Sequence, residues 1–313
     1  MKKILSLFLV LVLAMSVSAA AFAEQKEVKV AFITQSLENA SQAFAWSQFQ
    51  EYAPQYGFTP YLFEEGYDPQ KGVAAIGTCI AEGFAAISIN PTDPSAMIPS
   101  FMEAQSKGII VGMYSSEVPE EFKQYRDFMC GTNDIICGEV AAQTLMEAFP
   151  DGVKVVEVGG QSGHDAQIKR HNGFFDTIDT AKVEVLDSKN CPRWSSDDAM
   201  TIMSDFITLY GEEIQAVYCH WDIGATGCIE ALKAANLLEG VYVIGVDGCM
   251  IGYDQVIEGT QQLCIGQNFT RMTTDTLDTI QKILNKEPYD EVTFTALDVV
   301  TPANVHTFPY PKW

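Results

Sequence analysis

Residues 84–114 read FAAISINPTDPSAMIPSFMEAQSKGIIVGMY, and this stretch decides the fold. Two nearly continuous apolar runs, Phe84–Asn90 and Ile109–Tyr114, flank a segment with helical spacing from about residue 94 to residue 106. Such runs are typical of parallel strands that helices cover on both faces. The order strand, helix, strand therefore predicts a βαβ unit of an α/β protein.

The same alternation continues on both sides of this unit and then begins again. Further strands are predicted at Val28–Thr34, Phe58–Phe63, Val153–Val158, Val183–Asp187, Ala216–Cys219, Val241–Val246 and Gln261–Gln267, and Val292–Val300 reads as extended. Helical spacing marks Gln42–Gln55, Pro69–Glu82, Ile135–Ala148, Asp165–Ile178, Asp197–Tyr210, Ala225–Ala235 and Thr270–Leu284. Each half has too many strands for a minor lobe, so we predict two similar α/β domains that divide near Gly131–Asn133.

The first 23 residues have the layout of a secretory signal peptide. A basic start at Met1–Lys3 precedes an apolar run over Ile4–Val17, and Ala21-Phe22-Ala23 is a small-x-small cleavage pattern. The apolar run is shorter than the roughly 20 residues of a membrane-spanning helix. We predict cleavage before Glu24 and, since no cysteine stands there for a lipid anchor, release into the periplasm.

Composition excludes several classes of function. Without Lys2 and Lys3 the mature chain has 17 basic against 41 acidic residues, a net charge of −24, which repels nucleic acid and anionic lipid. The four histidines lack metal-ligand spacing, and neither a phosphate-binding glycine motif nor a G-x-S-x-G motif occurs. We therefore expect neither an enzyme nor a bound metal or cofactor.

The eight cysteines leave two interpretations open. They are Cys79, Cys130, Cys137, Cys191, Cys219, Cys228, Cys249 and Cys264. Export permits disulfides, and Cys130 with Cys137 is one pair close enough in sequence to be considered. Several cysteines lie in apolar runs, where a buried free thiol is the alternative.

Polar and aromatic residues follow the predicted strands. In open α/β sheets ligands bind beyond the carboxyl ends of the strands, so these residues are the candidate ligand contacts. Planar amide, carboxylate and guanidinium groups suit vicinal hydroxyls, and aromatic rings suit the C–H faces of a sugar. The candidates are Gln35, Asn39, Tyr114, Ser115, Arg170, Trp221, Asp247 and Gln267, and His164 and His220 are the histidines placed to reach the cleft.

Structural roles are the alternatives for several of these residues. Asp247 is also placed to cap the helix that starts near residue 250, and Arg170 has the position of a solvated helix charge. Trp194 and Trp221 have the alternative of core packing. For Asp222, which precedes a helix, we expect an N-cap role rather than ligand contact.

The chain resembles the periplasmic sugar-binding proteins of ABC transporters, of the ribose/galactose-binding (type I) kind. The resemblance covers nearly all of the mature chain, and no single motif carries it alone. Its motifs, in order, are Val30-Ala-Phe-Ile33 with Asn39, Ile87-Ser-Ile-Asn-Pro-Thr-Asp93, Arg170-x-x-Gly173-Phe174, Ile214-Gln-Ala-Val-Tyr218 with Asp222 and Ala225, Val243-Ile-Gly-Val-Asp-Gly248, and Gln267. It implies two Rossmann-like domains with helix-flanked parallel sheets, a three-segment hinge, and closure on one ligand.

The resemblance also implies roles for individual residues. Family members use the residue types found at Asn39, Arg170, Asp247 and Gln267 to bind sugar hydroxyls, and Trp194 falls where the ribose-type proteins have a ring-stacking phenylalanine. Other positions depart from the ribose-type pattern. Tyr114-Ser115 replaces an Asp-Arg pair, Trp221 an asparagine, Ser41-Gln42 two phenylalanines, and Gln35 a serine. We therefore expect a remodelled pocket whose ligand is not ribose itself.

These observations predict an extracytoplasmic solute-binding protein. It would capture a small sugar or polyol in an interdomain cleft and deliver it, as a monomer, to an ABC-transporter permease. The alternatives are a sensory protein that presents a sugar-like ligand to a chemoreceptor or kinase, and a binder of a non-sugar solute. The predicted N-terminal lobe is 28–132 plus 268–293, and the C-terminal lobe is 133–267 plus 294–313.

Overall fold

Twelve strands of the described chain assemble into two six-stranded sheets. A computed structural model of the protein describes residues 27–313; the predicted signal peptide lies outside these residues. The strands are β1 Val28–Thr34, β2 Phe58–Glu64, β3 Ala86–Asn90, β4 Ile110–Tyr114, β5 Phe128–Thr132, β6 Val153–Gln161, β7 Val183–Cys191, β8 Ala216–Cys219, β9 Tyr242–Asp247, β10 Leu263–Gly266, β11 Val292–Thr295 and β12 Asp298–Val300.

Nine α-helices within residues 27–313 cover these sheets. They are α1 Ala40–Tyr52, α2 Pro69–Glu82, α3 Pro94–Ser106, α4 Asp134–Ala148, α5 Asp165–Thr177, α6 Ser196–Tyr210, α7 Asp222–Ala234, α8 Met250–Glu258 and α9 Phe269–Asn285. The predicted α/β alternation is confirmed, and the helix bounds differ from the predicted ones by a few residues at most. None of the helices described has the length and apolar character needed to cross a membrane.

The order of the strands makes each sheet a doubly wound unit. The first sheet has the order β11-β5-β4-β3-β1-β2 and all its pairs are parallel. The second has the order β12-β10-β9-β8-β6-β7, and only β12 runs antiparallel to its neighbour. We refer to each sheet with the helices packed on it as the first and the second lobe.

The chain passes between the two lobes three times. It leaves the first sheet after β5, returns after β10 when α9 packs on β4 and β5, and leaves again between β11 and β12. The predicted three-segment connection is thereby confirmed. Two details of the prediction were wrong: β5 was missed, and the single extended segment Val292–Val300 is two strands in different sheets.

Apolar side chains fill both faces of each sheet. On β1, Ala31 and Ile33 pack under α2 and α3, whereas Val30 and Phe32 pack under α1 and α9. Successive residues of a strand point to opposite faces, so a continuous apolar run is what a sheet covered on both sides requires. All eight cysteines are buried and unpaired, and Cys130 and Cys137 form no disulfide with each other.

Candidate functional site

A cavity lies between the two lobes at the carboxyl ends of their strands. The space between its lining atoms, including its opening to solvent, is about 360 Å³. A space of this size, part of it open to solvent, admits only a small molecule. It is lined by Gln35, Asn39, Ser41, Gln42, Asn90, Ser115, His164, Ala166, Arg170, Trp194, Trp221, Asp247, Gln267 and Phe269.

Eight of the nine predicted contact residues line this cavity, and Tyr114 does not. The Tyr114 ring is fully buried in the core, edge-on to Phe32 at 5.3 Å, and its hydroxyl is 3.0 Å from Thr273 Oγ1. The strand ends at Tyr114 and the backbone turns at Ser115, whose φ is 61°, so Ser115 lines the cavity while the Tyr114 ring stays in the core. The expectation that both residues contact ligand is therefore not met in this structure.

Gln35, directly after β1, brings a buried amide to the first lobe's side of the cavity. Its Nε2 donates to the carbonyl of Pro91 at 3.2 Å. Its Oε1 is buried and has no hydrogen-bond partner within residues 27–313. A buried acceptor without a partner is costly, so Gln35 is ready to accept a hydrogen bond from a bound molecule.

Asn39 and Gln42 are partly committed to the protein itself. Asn39 is the N-cap of α1: its Oδ1 accepts from the Ser41 amide at 3.1 Å and from the Ser41 hydroxyl at 2.9 Å. Gln42 Oε1 accepts from the Thr34 hydroxyl at 3.0 Å. These bonds hold the first turn of α1 in place and leave the amide nitrogen of Asn39 as its group for ligand contact.

Arg170 is the fixed cation of the cavity. It is 3% exposed, which rules out the alternative of a solvated helix charge. Its Nε donates to Asp134 Oδ1 at 2.8 Å, its Nη1 donates to the carbonyl of His220, and its guanidinium lies 5.8 Å from the centre of the Trp194 ring. Burial by itself would lower the pKa of Arg170, but the nearby negative charge of the Asp134 carboxylate has the larger effect and raises this pKa. Arg170 therefore stays ionised and held in one orientation.

Asp134 was not predicted from the sequence. It is 2% exposed at the start of α4, directly after β5. Residues of this kind can be found from the sequence because they follow the end of a predicted strand. Asp134 was not found because β5, the strand that precedes it, was not predicted. Its carboxylate neutralises Arg170, so the pair brings no net charge to the cavity.

Asp247 ends β9 and is 6% exposed. Its Oδ1 accepts from Gln267 Nε2 at 2.7 Å, and burial raises its pKa to about 8 although Arg170 opposes this. Its φ of 130° is rare for a residue other than glycine, a kind of strain that clusters at functional sites. Asp247 does not cap α8, whose N-cap is Cys249, so that alternative was wrong.

Asp222 has a different role from the predicted one. The N-cap of α7 is Trp221, whereas the buried Asp222 carboxylate reaches across to the loop after β9. Its Oδ2 accepts from the amides of Gly248 at 2.8 Å and Cys249 at 3.3 Å. The expected N-cap role on its own helix was therefore wrong, and Asp222 instead orders the loop that carries Asp247.

Two tryptophans form an apolar wall. The rings of Trp194 and Trp221 meet edge to face, with centroids 5.3 Å apart and an interplanar angle of 88°. The Trp194 ring covers Gly160, where an added Cβ would lie 2.0 Å from Cη2, so only glycine fits there. Trp221 is 3% exposed, and its Nε1 has no hydrogen-bond partner in the described chain. Trp221 thus combines packing with an unpaired donor beside the cavity.

His164 lines the cavity as expected, but His220 does not. His164 Nδ1 accepts from the Ala166 amide at 3.3 Å, which assigns the proton to Nε2, and Nε2 lies 3.2 Å from Asn90 Oδ1. Burial lowers the pKa of His164 to about 3, so the ring is neutral. His220 is fully buried, with Nε2 2.9 Å from Glu157 Oε1, and offers only its carbonyl to Arg170.

Two hydrogen bonds join the lobes beside the cavity. Asn90 ends β3 of the first lobe, and His164 follows β6 of the second. The Glu117 amide, also in the first lobe, donates to Asp165 Oδ2 at the start of α5, at 2.9 Å. Both bonds would break if the lobes swung apart, so this arrangement is the closed one.

The chemistry of the cavity fits hydroxyl groups better than metals or charged groups. Its unpaired buried atoms are two acceptors, Gln35 Oε1 and Gln267 Oε1, and one donor, Trp221 Nε1. A hydroxyl group both donates and accepts, so vicinal hydroxyls can satisfy all three. Residues 27–313 contain no cluster of histidine, cysteine or acidic side chains that could hold a metal ion.

Comparison with known proteins places this geometry in a family. Residues 30–288 match the family described as periplasmic binding protein domain. The chain belongs to this family. The resemblance predicted from the sequence is thereby confirmed, and the relatives found are named as binding or import proteins and not as enzymes.

Individual relatives are distant but match along most of their length. The ribose import binding protein of Escherichia coli is 24% identical over 288 residues, 92% of this chain and 94% of that protein. The crystal structure of a galactofuranose binding protein has a TM-score of 0.85 at 20% identity, covering 90% of this chain and 96% of that one. A solute binding protein of an ABC transporter from Bacillus halodurans, with bound myo-inositol, has a TM-score of 0.84 at 20% identity, covering 91% and 98%. At these identities the solved structures establish the shared fold.

Proposed function

We propose that this protein captures one small, uncharged sugar or polyol in the cavity between its lobes and delivers it to an ABC-transporter permease. The observation that carries the proposal is the set of three unpaired buried atoms, Gln35 Oε1, Gln267 Oε1 and Trp221 Nε1, beside the aromatic wall. These atoms call for a partner that can donate and accept at once, which describes hydroxyl groups on a compact ring or chain.

The charge balance supports an uncharged ligand. The positive charge of Arg170 is matched by Asp134, and the raised pKa of Asp247 favours a proton on its carboxyl group near neutral pH. The cavity therefore offers no uncompensated charge to balance that of an ionised ligand, which would lose its hydration there without a counter-charge. We infer that Asn39, Ser115 and the two tryptophans complete the contacts.

The relatives support the ligand class without identifying the ligand. Their names and descriptions refer to ribose, galactofuranose and myo-inositol, all of them small and polyhydroxylated. The departures from the ribose-type pattern at Gln35 and Trp221 place an unpaired acceptor and an unpaired donor in the cavity. We therefore expect a ligand other than ribose.

Closure of the lobes is the step that retains the ligand. We propose the lobe limits 28–132 with 268–293 and 133–267 with 294–313; these limits follow the sheet membership of the strands except that 293/294 falls inside β11, whose last two residues still pair with β5. A ligand that contacts both lobes stabilises the closed form in proportion to its extra affinity for that form. We also propose that the mature chain acts as a monomer in the periplasm after loss of residues 1–23.

A thermal-shift panel tests the ligand class. Purified mature protein is heated with pentoses, hexoses, inositols and alditols, and with nucleosides and amino acids as other solute classes. We expect stabilisation by one or a few of the first four groups, because a ligand that binds the folded state raises its stability by mass action. Stabilisation by amino acids alone would contradict a polyhydroxylated ligand while leaving the family membership unchanged.

A further inference from the structure

Residues 309–313, which we call the strap, line a second hollow that shares Gln267 and Phe269 with the cavity. The strap follows β12 and is anchored on α8 of the second lobe. The Tyr310 hydroxyl donates to Asp254 Oδ1 at 2.8 Å, and its ring meets Tyr253 edge to face at 6.4 Å. The carbonyl of Trp313 accepts from the amide of Met250 at 2.5 Å. The main chain of the strap therefore belongs to the second lobe.

The side chain of Trp313 packs on the other lobe. Its ring stacks on Phe44 of α1, with centroids 5.5 Å apart and an interplanar angle of 9°. It also meets Phe269 of α9 edge to face at 5.2 Å and 89°. Both geometries are favourable for aromatic pairs. A single residue thus binds one lobe through its carbonyl and the other through its ring.

Each of the three helices that Trp313 contacts begins close to a residue that lines the cavity. Phe269 is the first residue of α9 and lines the cavity itself. Met250 is the first residue of α8, three residues after Asp247. Phe44 lies early in α1, a few residues after its N-cap Asn39. Trp313 is not among the residues that line the cavity, so any effect it has on binding passes through these helix starts.

We propose that Trp313 is a positioning residue for the cavity. By holding the starts of α1, α8 and α9 together in the closed arrangement, it sets the distance between the first lobe's amide groups and Asp247 of the second lobe when the lobes are shut. The inference rests on the proposed function only in taking the cavity to be the binding site. The contacts of Trp313 do not depend on the ligand, so the test can be made without one.

Hydrogen–deuterium exchange of the ligand-free protein tests the proposal. Trp313→Leu keeps apolar bulk but removes the ring, Trp313→Phe keeps a ring, and Tyr310→Phe is the matched control because the Tyr310 contacts lie within the second lobe. Exchange is followed in peptides that cover residues 41–44 and 250–253. Peptides from β1 and β9 report whether the sheets stay folded, which separates local release from global loss of stability.

We expect Trp313→Leu to speed exchange about tenfold or more in both 41–44 and 250–253, as the loss of two aromatic pairs implies, with the sheet peptides unchanged. Trp313→Phe should restore most of the protection, and Tyr310→Phe should leave 41–44 at the wild-type rate. Faster exchange in 41–44 alone, or equally throughout the chain, would show that Trp313 only packs its neighbours and would overturn the proposal. Unchanged exchange in both segments would overturn it as well. None of these exchange results would affect the outcome of the thermal-shift panel, which tests the binding function itself.

Discussion

Replacing Trp221 with phenylalanine should separate binding from stability. The change removes the indole Nε1, which is buried and without a partner in the described chain, but keeps an aromatic ring against Trp194. In the unliganded protein two effects oppose each other. Relief of an unsatisfied donor is worth about 1–3 kcal/mol, whereas the smaller ring leaves a cavity that costs about 24 cal/mol per Å³. We expect the free energy of unfolding to change by less than about 1 kcal/mol in either direction.

The liganded protein has no such compensation. A ligand hydroxyl that loses its indole donor inside a closed cavity forfeits a hydrogen bond and stays desolvated, which costs about 1–3 kcal/mol. That corresponds to a rise in Kd of roughly 5-fold to 150-fold. Isothermal titration with the panel member that most stabilises the wild type measures Kd, and urea unfolding measures stability.

Trp46→Phe is the matched control. Trp46 packs on Phe32 in the core of the first lobe, 6.2 Å between ring centroids, and does not line the cavity. This variant should lose stability and keep the wild-type Kd. If Trp221→Phe also binds with the wild-type Kd, Nε1 is not a ligand contact, and the reasoning from unpaired buried atoms fails.

Three further predictions follow from the geometry. Gly160→Ala should displace Trp194 and weaken binding at least about tenfold, as measured by titration calorimetry. The control is Gly77→Ala, which should bind as the wild type does because an added Cβ at Gly77 meets no atom within 4 Å. Asp134→Ala leaves a buried guanidinium unpaired and should cost about 3–5 kcal/mol of unfolding free energy in urea; a loss below about 1 kcal/mol would contradict a buried ion pair. Burial raises the pKa of Asp247 from 3.8 to about 8, so the folded state holds a proton that the unfolded state has released. The contribution of Asp247 to stability should therefore fall as pH rises from about 4 to about 8. Asp247→Asn should remove that part of the pH dependence of thermal unfolding. If the variant and the wild type have the same pH profile, the raised pKa is wrong.

The fold was predictable because the apolar pattern is strong where a strand is covered by helices on both faces. β3 and β4 could be predicted from residues 84–114 because two short apolar runs flank a segment with helical spacing, and all five residues of each strand are indeed buried. β5 has the same length as β3 and β4 and is equally buried, but it was missed because it ends in Cys-Gly-Thr, which carries little apolar signal. The single run Val292–Val300 gave no sign that the chain changes sheets within it, because the strand partners are set by tertiary contacts.

The residues of the site could be predicted from the sequence where they follow the carboxyl end of a recognisable strand. The rule that ligands lie beyond the carboxyl ends of strands found seven of the predicted contact residues that line the cavity, and Trp194 came from the family resemblance. The rule also indicated Tyr114, which lies in the core, because it does not say which face a side chain takes. Asp134 was missed because it follows β5, which was not predicted. The pairing of Asn90 with His164 and the packing of Trp313 join residues far apart in sequence, which no local pattern encodes.

The most direct test of the central claim is a calorimetric titration of wild-type protein and Asp247→Ala with the panel sugar or polyol that gives the largest thermal shift. The account predicts one site per chain in the wild type and a Kd at least about a hundredfold higher in the variant, because the variant loses the Asp247 carboxyl group and its hold on Gln267 together. Equal Kd values for the two proteins would show that the ligand binds somewhere other than this cavity.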